Sequence, residues 1–577
     1  MLLHTQLSAP PDKAPAHRRW CRPAFTIAAT SEQLLWAASL FWALVANRQF
    51  LGAALRTRDL SDTATWGFAG AVLVMLTCLH YLLLAPLANR FSVKPLLAAM
   101  TVVTACATYF MQAYGVFLDP SMISNVMRTD VAEARELLSW SLLAHLLVYA
   151  ALPLAVLWRV CVQRPPVLGA TLRRLLGLGL AAGLFVAALL SVYQPFSSLM
   201  RNNKEMRYLV TPANAIWSVG AVAAAQLKGA AKPRQPIGLD ATPGPRMVAR
   251  SQAGARPLVV VVVVGETARA ANWGLSGYAR QTTPQLARLP VINVPDVTAC
   301  GTNTETSVPC LFAPVGRRDY DENRIHGSES LMHVLARAGV AVHWRDNQSG
   351  CKGVCDGVPQ DDVVSFNPAG LCAEGRCMDE GLLAGMDARL QALPTKGGTQ
   401  VWVLHMLGNH GPSYFRRYPA AFAQFKPACE KDDLHLCSQV EIVNAYDNAL
   451  LYTDHVLASL VGKLQAASGA VDSALLFVSD HGESLGENNL YLHGLPYAIA
   501  PDVQKKVPMV MWFSPGLSSG SHATLDLACL RRQAQLPLAH DHLFHTVLGL
   551  VDVKTALREP AWDLSDACRA DGTVSSQ

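Results

Sequence analysis

Three alternating threonines, Thr302, Thr304 and Thr306, lie between two cysteines ten positions apart in the stretch TACGTNTETSVPCLF, Thr298 to Phe312. A threonine hydroxyl is a weak nucleophile at neutral pH, but coordination to a dication activates it without a separate base. Ligands for a dication occur in the same half of the chain, each near the end of an apolar run. PLVVVVVVGET ends at Glu266, VWVLHMLGNHGP carries His405 and His410, and ALLFVSDHGES leads to Asp480 and His481. A fourth run, GVAVHWRDNQSGCKG, leads to Ser349 and Lys352. Short apolar runs separated by helical patterns are the signature of an α/β layered sheet, and open α/β sheets place their sites at the carboxyl ends of strands. Taken singly, Glu266 reads as a helix cap, Lys352 as a solvated charge and each histidine as a core residue. Taken jointly, Glu, Asp and His are oxygen and imidazole ligands suited to zinc, with an open fourth position for a hydroxyl oxygen. The residues alone leave Thr302, Thr304 and Thr306 all eligible.

The remainder of the chain explains where such a site would work. Of 577 residues 51% are apolar and 16% charged, and the apolar excess is concentrated in the first two hundred. Five runs there, near Phe25–Val45, Trp66–Leu87, Pro95–Tyr114, Trp140–Val160 and Leu175–Val192, are long enough to cross a bilayer core. Basic residues precede the first run (Lys13, Arg18, Arg19, Arg22), separate the second and third (Arg90, Lys94) and separate the fourth and fifth (Arg159, Arg164, Arg173, Arg174). These segments are expected to be cytoplasmic, which puts everything after about Val192 outside. The net charge of +5 is then mostly an orientation signal, and no nucleic-acid groove is indicated. Of 14 cysteines ten lie in the exported part, eight of them in close sequence pairs: Cys300/Cys310, Cys351/Cys355, Cys372/Cys377 and Cys429/Cys437. An oxidising compartment would bond them, with Cys529 and Cys568 as a fifth pair, whereas a zinc ribbon is the competing reading of the middle four. Arg201, Lys204 and Arg207 alternate with apolar residues as in a helix lying on a membrane surface. The proline-rich Lys232–Pro257 reads as a linker.

Five blocks in order, VVVVGETARAANWGLSGYARQTTPQL, CGTNTETSVPCLF, DNQSGCKGVCD, HMLGNHGPSYFRRYP and FVSDHGESLGENNLYLHGLPYAIAP, closely resemble the lipid A phosphoethanolamine transferases, the family of the mobile colistin-resistance enzymes. The resemblance implies an N-terminal α-helical membrane domain of five transmembrane helices and a C-terminal α/β sandwich of the alkaline phosphatase and sulfatase type. It selects Thr304 as the nucleophile and Glu266, Thr304, Asp480 and His481 as the zinc site. His410 and His493 resemble the pair that handles the transferred phosphate or a second zinc, and Ser349 and Lys352 the phosphate-side contacts. Asn125, Thr129 and Glu133, spaced by four and so on one helical face, resemble the donor headgroup contacts. The implied partners are phosphatidylethanolamine as donor, lipid A as acceptor and membrane lipids, in a monomeric enzyme of the bacterial inner membrane with a periplasmic catalytic domain. The expected divisions are 1–23 cytoplasmic, 24–194 transmembrane, 195–256 interfacial helix and linker, and 257–570 catalytic. Lipopolysaccharide core or another envelope glycan is the alternative acceptor, and phosphoglycerol an alternative cargo. Where the family often has a small residue after the nucleophile, this chain has Glu305, which bears on rate or substrate preference. His405 reads as structural, and the triplet His540, His542 and His545 as a weak metal pattern whose spacings do not share a face.

Overall fold

The computed structural model describes residues 27–569 apart from 57, 130, 164, 231–233, 253–254, 374 and 520–523. The basic stretch before residue 24 and Arg164 therefore lie outside the described residues. The chain forms two compact units, Met1–Thr108 with Ala144–Ala213, and Tyr109–Leu143 with Asn214–Gln577.

Among the described residues four helices are long and apolar enough to cross a membrane: Thr63–Leu84, Val93–Tyr114, Trp140–Arg159 and Val167–Ser191. Ser31–Val45 and Arg48–Leu55 make a fifth span if the pair, bent by 52°, is counted as one. The bend falls at Asn47, whose amide donates to the carbonyls of Trp42 (2.9 Å) and Thr211 (2.8 Å), so the interrupted backbone keeps its partners. The last of these helices begins eight residues earlier than the apolar run Leu175–Val192, directly after Pro166. Arg174 therefore sits within a helix and not in a loop, where it pairs with Glu32 at 2.6 Å. That pairing lets a carboxylate reside in the first apolar run. The expected surface helix is broken: Tyr193–Asn202 stops at Asn203 and a 3₁₀ segment, Lys204–Leu209, follows. Arg201 thus lies on a different element from Lys204 and Arg207, and the three do not share one helical face.

The second unit is built on an eight-stranded sheet. In chain order its strands are β1 (Leu258–Gly265), β2 (Ile292–Thr298), β3 (Ala341–Asp346), β4 (Gln360–Asp362), β5 (Thr399–His405), β6 (Asp472–Ser479), β7 (Lys506–Phe513) and β8 (Leu538–Ala539). Their spatial order is 8-2-7-6-1-5-3-4. Strands β6, β1, β5 and β3 are adjacent and mutually parallel, while β7 runs antiparallel to both β6 and β2. A parallel centre is covered on both faces, which is why β1 can be a continuous apolar run. Leu258, Val260, Val262 and Val264 enter one core with Leu331 and Phe544, and Val259, Val261 and Val263 enter the opposite core with Leu450 and Leu457 of the long helix Gln439–Ala467. Part of the proline-rich stretch is packed as well: Ala241 and Met247 are buried in the first core, and the Gly244 amide bonds the Asp552 carbonyl at 2.7 Å.

Three short helices matter for the site. They are α1 (Pro120–Arg128), α2 (Val131–Glu136) and α3 (Thr304–Leu311). Five disulfides, Cys300–Cys310, Cys351–Cys355, Cys372–Cys377, Cys429–Cys437 and Cys529–Cys568, fix loops of this unit. The middle four cysteines are thus bonded in pairs and do not form a zinc ribbon.

Candidate active site

Parallel pairing brings the ends of β1 and β6 side by side, Ser479 opposite Gly265, so Glu266, Asp480 and His481 converge. All three are fully buried, and one ligand atom from each lies within 4.8 Å of the others. His481 Nε2 is 3.4 Å from Glu266 Oε1 and 3.4 Å from Asp480 Oδ2. Its Nδ1–H donates to the Gly482 carbonyl at 2.9 Å, which leaves the Nε2 lone pair facing the group. The two carboxylates hold the His481 pKa above its ordinary value although burial pulls it down. Asp480 Oδ1 accepts from the amides of His481 (2.7 Å) and Thr267 (3.2 Å), but its buried Oδ2 has no hydrogen-bond partner. A buried, unpartnered carboxylate oxygen beside a second carboxylate and an imidazole lone pair fits a dication.

Thr304 opens α3 and completes the group: its Oγ1 is 3.1 Å from Glu266 Oε2 and 3.4 Å from His481 Nε2. The other two threonines are placed differently. The Thr302 hydroxyl donates to the Leu495 carbonyl at 2.6 Å while its backbone carbonyl accepts from the Gly494 amide at 2.7 Å, and Thr306 sits roughly 200° further round the helix from Thr304. Asn303 caps α3 by accepting from the Thr306 amide, and a Cβ at Gly301 would lie 2.7 Å from Thr306 Cγ2, so a larger residue there would have to displace the first turn's side chains.

A second tier flanks this cluster. The His493 ring lies 4.3 Å from that of His481 and 5.4 Å from that of His410. His493 Nδ1 meets Glu483 Oε2 at 3.0 Å, and Tyr414 donates to the other Glu483 oxygen at 3.0 Å. Burial pulls His493 down to about 3 and pushes the Glu483 carboxyl well up. His410 Nε2 faces Glu133 Oε1 at 3.3 Å, and its buried Nδ1 lacks a hydrogen bond. Burial holds His410 well below its ordinary pKa. Lys352, in a left-handed backbone conformation, donates from Nζ to Ser349 Oγ at 2.6 Å.

A model of the sulfatase family matches residues 259–553, and a model of phosphoethanolamine transferase EptA/EptB matches residues 76–227. Phosphoethanolamine transferase EptA of Salmonella typhimurium is 39% identical over 486 residues, 84% of this chain and 87% of that protein. Phosphatidylethanolamine transferase Mcr-1 of Escherichia coli is 36% identical over 531 residues, 90% of this chain and 94% of that protein. Among solved structures, the integral membrane lipooligosaccharide phosphoethanolamine transferase A of Neisseria meningitidis superposes with a TM-score of 0.87 at 36% identity, covering 94% of this chain and 99% of that one. The chain belongs to the phosphoethanolamine transferase family. Its C-terminal domain is of the sulfatase type, with apolar helices before it.

In this transferase the expected donor-side residues are arranged otherwise than one helical face. Helix α1 ends at Arg128, Thr129 is extended (ψ 128°), and Glu133 belongs to α2. The Thr129 hydroxyl donates to the Asn125 carbonyl at 3.0 Å, competing with the backbone for that acceptor, and the helix stops there. Of the three, Glu133 lines a cleft of about 70 Å³ with Ser349 and His410. Glu305 is buried and neutralised by Arg128 of α1 at 2.6 Å, while Asn303 donates to Ser121 of α1 at 2.9 Å. The histidine triplet is structural. His540 accepts from the Cys300 amide (3.1 Å) and donates to the Ser479 carbonyl (2.9 Å), whereas His542 and His545 each accept from a backbone amide, of Ala539 and Glu559. His405 pairs with Asp346 at 2.9 Å inside the sheet, as a structural reading expects. Sequence reasoning missed Gln348, which donates to Glu266 Oε2 at 3.1 Å, and Glu483. Both stand inside blocks that carried the resemblance, next to Ser349 and two residues after His481, and a polar side chain between two candidate ligands was the available signal.

Proposed function

We propose that this chain transfers phosphoethanolamine from phosphatidylethanolamine to a phosphate of lipid A, with Thr304 as the covalent carrier. The observation that supports this most is the Thr304 hydroxyl at 3.1 Å from Glu266 and 3.4 Å from His481, within a buried two-carboxylate, one-imidazole group. A zinc ion held by Glu266, Asp480 and His481 would acidify the Thr304 hydroxyl and offset charge on the phosphoryl oxygens. In the first step the Thr304 oxygen bonds to phosphorus and gives up its proton; the phosphorus–oxygen bond to diacylglycerol breaks, and that oxygen takes a proton. His410 and the His493–Glu483 pair carry the proton between the two oxygens. In the second step an acceptor phosphate oxygen bonds to the same phosphorus as the phosphorus–oxygen bond to Thr304 breaks, and the Thr304 oxygen takes back a proton through the same histidines. Lys352, with Ser349, faces the phosphoryl oxygens, and the start of α3 adds the positive end of a helix. Glu133 is the counter-charge for the ethanolamine ammonium, with Asn125 and Thr129 beside it.

The relatives at 36–39% identity carry names for phosphoethanolamine or phosphatidylethanolamine transfer, and the neisserial protein acts on lipooligosaccharide. Residues 24–194 anchor the enzyme in the inner membrane, 195–256 connect, and 257–570 form a periplasmic catalytic domain whose disulfides suit that compartment. Covering a lipid phosphate with phosphoethanolamine lowers the surface negative charge and weakens binding of cationic peptides such as polymyxin. The test is mass spectrometry of lipid A from a susceptible Gram-negative host with and without the chain, and of the purified protein with donor alone. Lipid A heavier by one phosphoethanolamine and an adduct of the same mass on the Thr304 peptide are expected. Unmodified lipid A alongside phosphoethanolamine on core sugars would overturn the acceptor, and absence of the adduct would overturn the covalent carrier.

A further inference from the structure

Gln348 stands between the two halves of the site, and the two-step transfer gives it no part. Its amide meets a different kind of partner at each end. Nε2 donates to Glu266 Oε2 at 3.1 Å, while Oε1 accepts from the Ser349 amide at 2.7 Å and from Ser349 Oγ at 2.8 Å. A carboxylate cannot donate and a backbone N–H cannot accept, so this orientation of the amide is the one that satisfies both ends. Because the Ser349 hydroxyl gives its hydrogen to Gln348, it meets Lys352 Nζ, at 2.6 Å, with a lone pair. One directed chain of hydrogen bonds therefore runs from Lys352 through Ser349 and Gln348 to Glu266, joining the phosphate-side contacts to the buried carboxylate cluster.

The backbone beneath this chain is fixed from the sheet. Asp346, the last residue of β3, accepts at Oδ1 from the amides of Gln348 (2.8 Å) and Gly350 (3.1 Å), and its Oδ2 meets Trp344 Nε1 and His405 Nδ1, both at 2.9 Å. With the main chain at residue 348 held in this way, the length and chemistry of the side chain decide what it reaches. Asparagine, one carbon shorter, cannot span from the Ser349 amide to Glu266. Glutamate has the length, but it cannot donate to Glu266 and sets a second carboxylate against it.

Glu266 Oε2 accepts from Gln348 and from the Thr304 hydroxyl, each at 3.1 Å. In the transfer proposed above, on which this inference rests, Thr304 gives up its proton and its donation to Glu266 ends. Gln348 keeps donating to the same oxygen, which then lies beside a negative Thr304 oxygen, and so limits the repulsion between the two. We infer that Gln348 is a positioning residue, which holds Glu266 in place as a metal ligand and sets the Ser349–Lys352 pair at a fixed reach from Thr304.

The experiment uses the full-length chain in detergent, wild type against Gln348→Ala, Gln348→Asn and Gln348→Glu. It measures the Tm of the zinc-free protein, the zinc Kd by competition with a chelator, and the rate of adduct formation on Thr304 with phosphatidylethanolamine at saturating zinc. The zinc-free Tm should match wild type in all three variants, while zinc binds about tenfold or more weakly in Gln348→Ala and Gln348→Asn. Adduct formation should slow about tenfold or more in all three, with Gln348→Glu no faster than Gln348→Ala. That comparison separates the roles, since a side chain that only fills space is replaced best by its isostere. A Gln348→Glu adduct rate within about twofold of wild type, an unchanged zinc Kd in Gln348→Ala, or a lower zinc-free Tm in Gln348→Ala would each overturn the assignment. If the wild type itself forms no adduct the covalent reading falls, and the zinc Kd still decides whether Gln348 holds Glu266.

Discussion

The two sides of the candidate active site are built differently. Glu266, Asp480 and His481 follow directly from adjacent parallel strands, with backbone registers that leave them no latitude, and all are fully buried. The opposite side is made by α1 and α2, two short helices separated by a break, which reach the catalytic domain through charged pairs: Arg128–Glu305, Glu133–His410 and Glu136–Arg417. Strand ends hold atoms where bond-making requires small tolerances, whereas pairs of side chains hold a wall by charges that can be changed one at a time. Substitutions on the strand-end side should therefore stop the reaction, and those on the helical side should change stability, affinity or rate by smaller steps.

Thr304→Ala is the extreme case. Transfer should fall by about three orders of magnitude or more, since the Thr304 hydroxyl lies against both Glu266 Oε2 and His481 Nε2, while Thr302→Ala and Thr306→Ala keep measurable activity. Lipid A mass profiles at equal expression check this; near wild-type modification by Thr304→Ala would move the nucleophile elsewhere and remove the distinction between the two sides.

On the helical side the largest effect should come from Glu136→Ala. It leaves the buried Arg417 guanidinium without its carboxylate and costs about 3–5 kcal/mol of stability. Thermal unfolding of the full-length chain should show it as a clear fall in Tm, with loss of activity following the loss of fold. An unchanged Tm would mean that solvent already reaches Arg417.

Between these lies a contact within the sheet. Burial disfavours the Asp346 carboxylate, but His405 and Trp344 pull it down to about 2. A carboxyl depressed in the folded state contributes stability above its unfolded value of about 3.9, and that stability drains away as pH falls toward 2. Asp346→Asn should thus unfold more readily than wild type at pH 6, and the difference should shrink on acidification between pH 4 and 2. A constant difference would mean that His405 does not hold the charge.

How much of this was legible in the sequence follows the same division. Glu266, Asp480 and His481 were readable because apolar runs announce buried strands and a polar residue at such an end has few structural uses. Picking Thr304 from three threonines required the family pattern, since spacing alone does not tell that Thr302 is bonded to the Leu495 carbonyl. The helical side was poorly legible. Glu136 and Arg417 are 281 positions apart, and nothing local in VAEARE marks its last glutamate as buried against the Arg417 guanidinium. The break at Thr129 was likewise hidden, because Asn125, Thr129 and Glu133 fit helical spacing, while the Thr129 hydroxyl competes for a helix carbonyl where the helix ends.

The smallest effect should come from the pair next to Thr304, Arg128 and Glu305. Glu305 is almost wholly buried and its pKa is pushed up by that burial, with Arg128 opposing the shift, while Arg128 itself is 42% exposed. The cost of the pair is therefore borne by the carboxylate. Arg128→Ala leaves Glu305 buried with one oxygen already lacking a hydrogen bond, and should slow adduct formation several-fold as α1 loses its hold on α3. Glu305→Ala removes the buried charge altogether and should cost less, because Asn303 still donates to Ser121 across the same contact. The double variant Arg128→Ala with Glu305→Ala should then be faster than Arg128→Ala alone, a coupling of about 1 kcal/mol in a double-mutant cycle on the adduct rate. Additive effects would show that the two groups do not act through each other, and that Glu305 bears on the nucleophile directly.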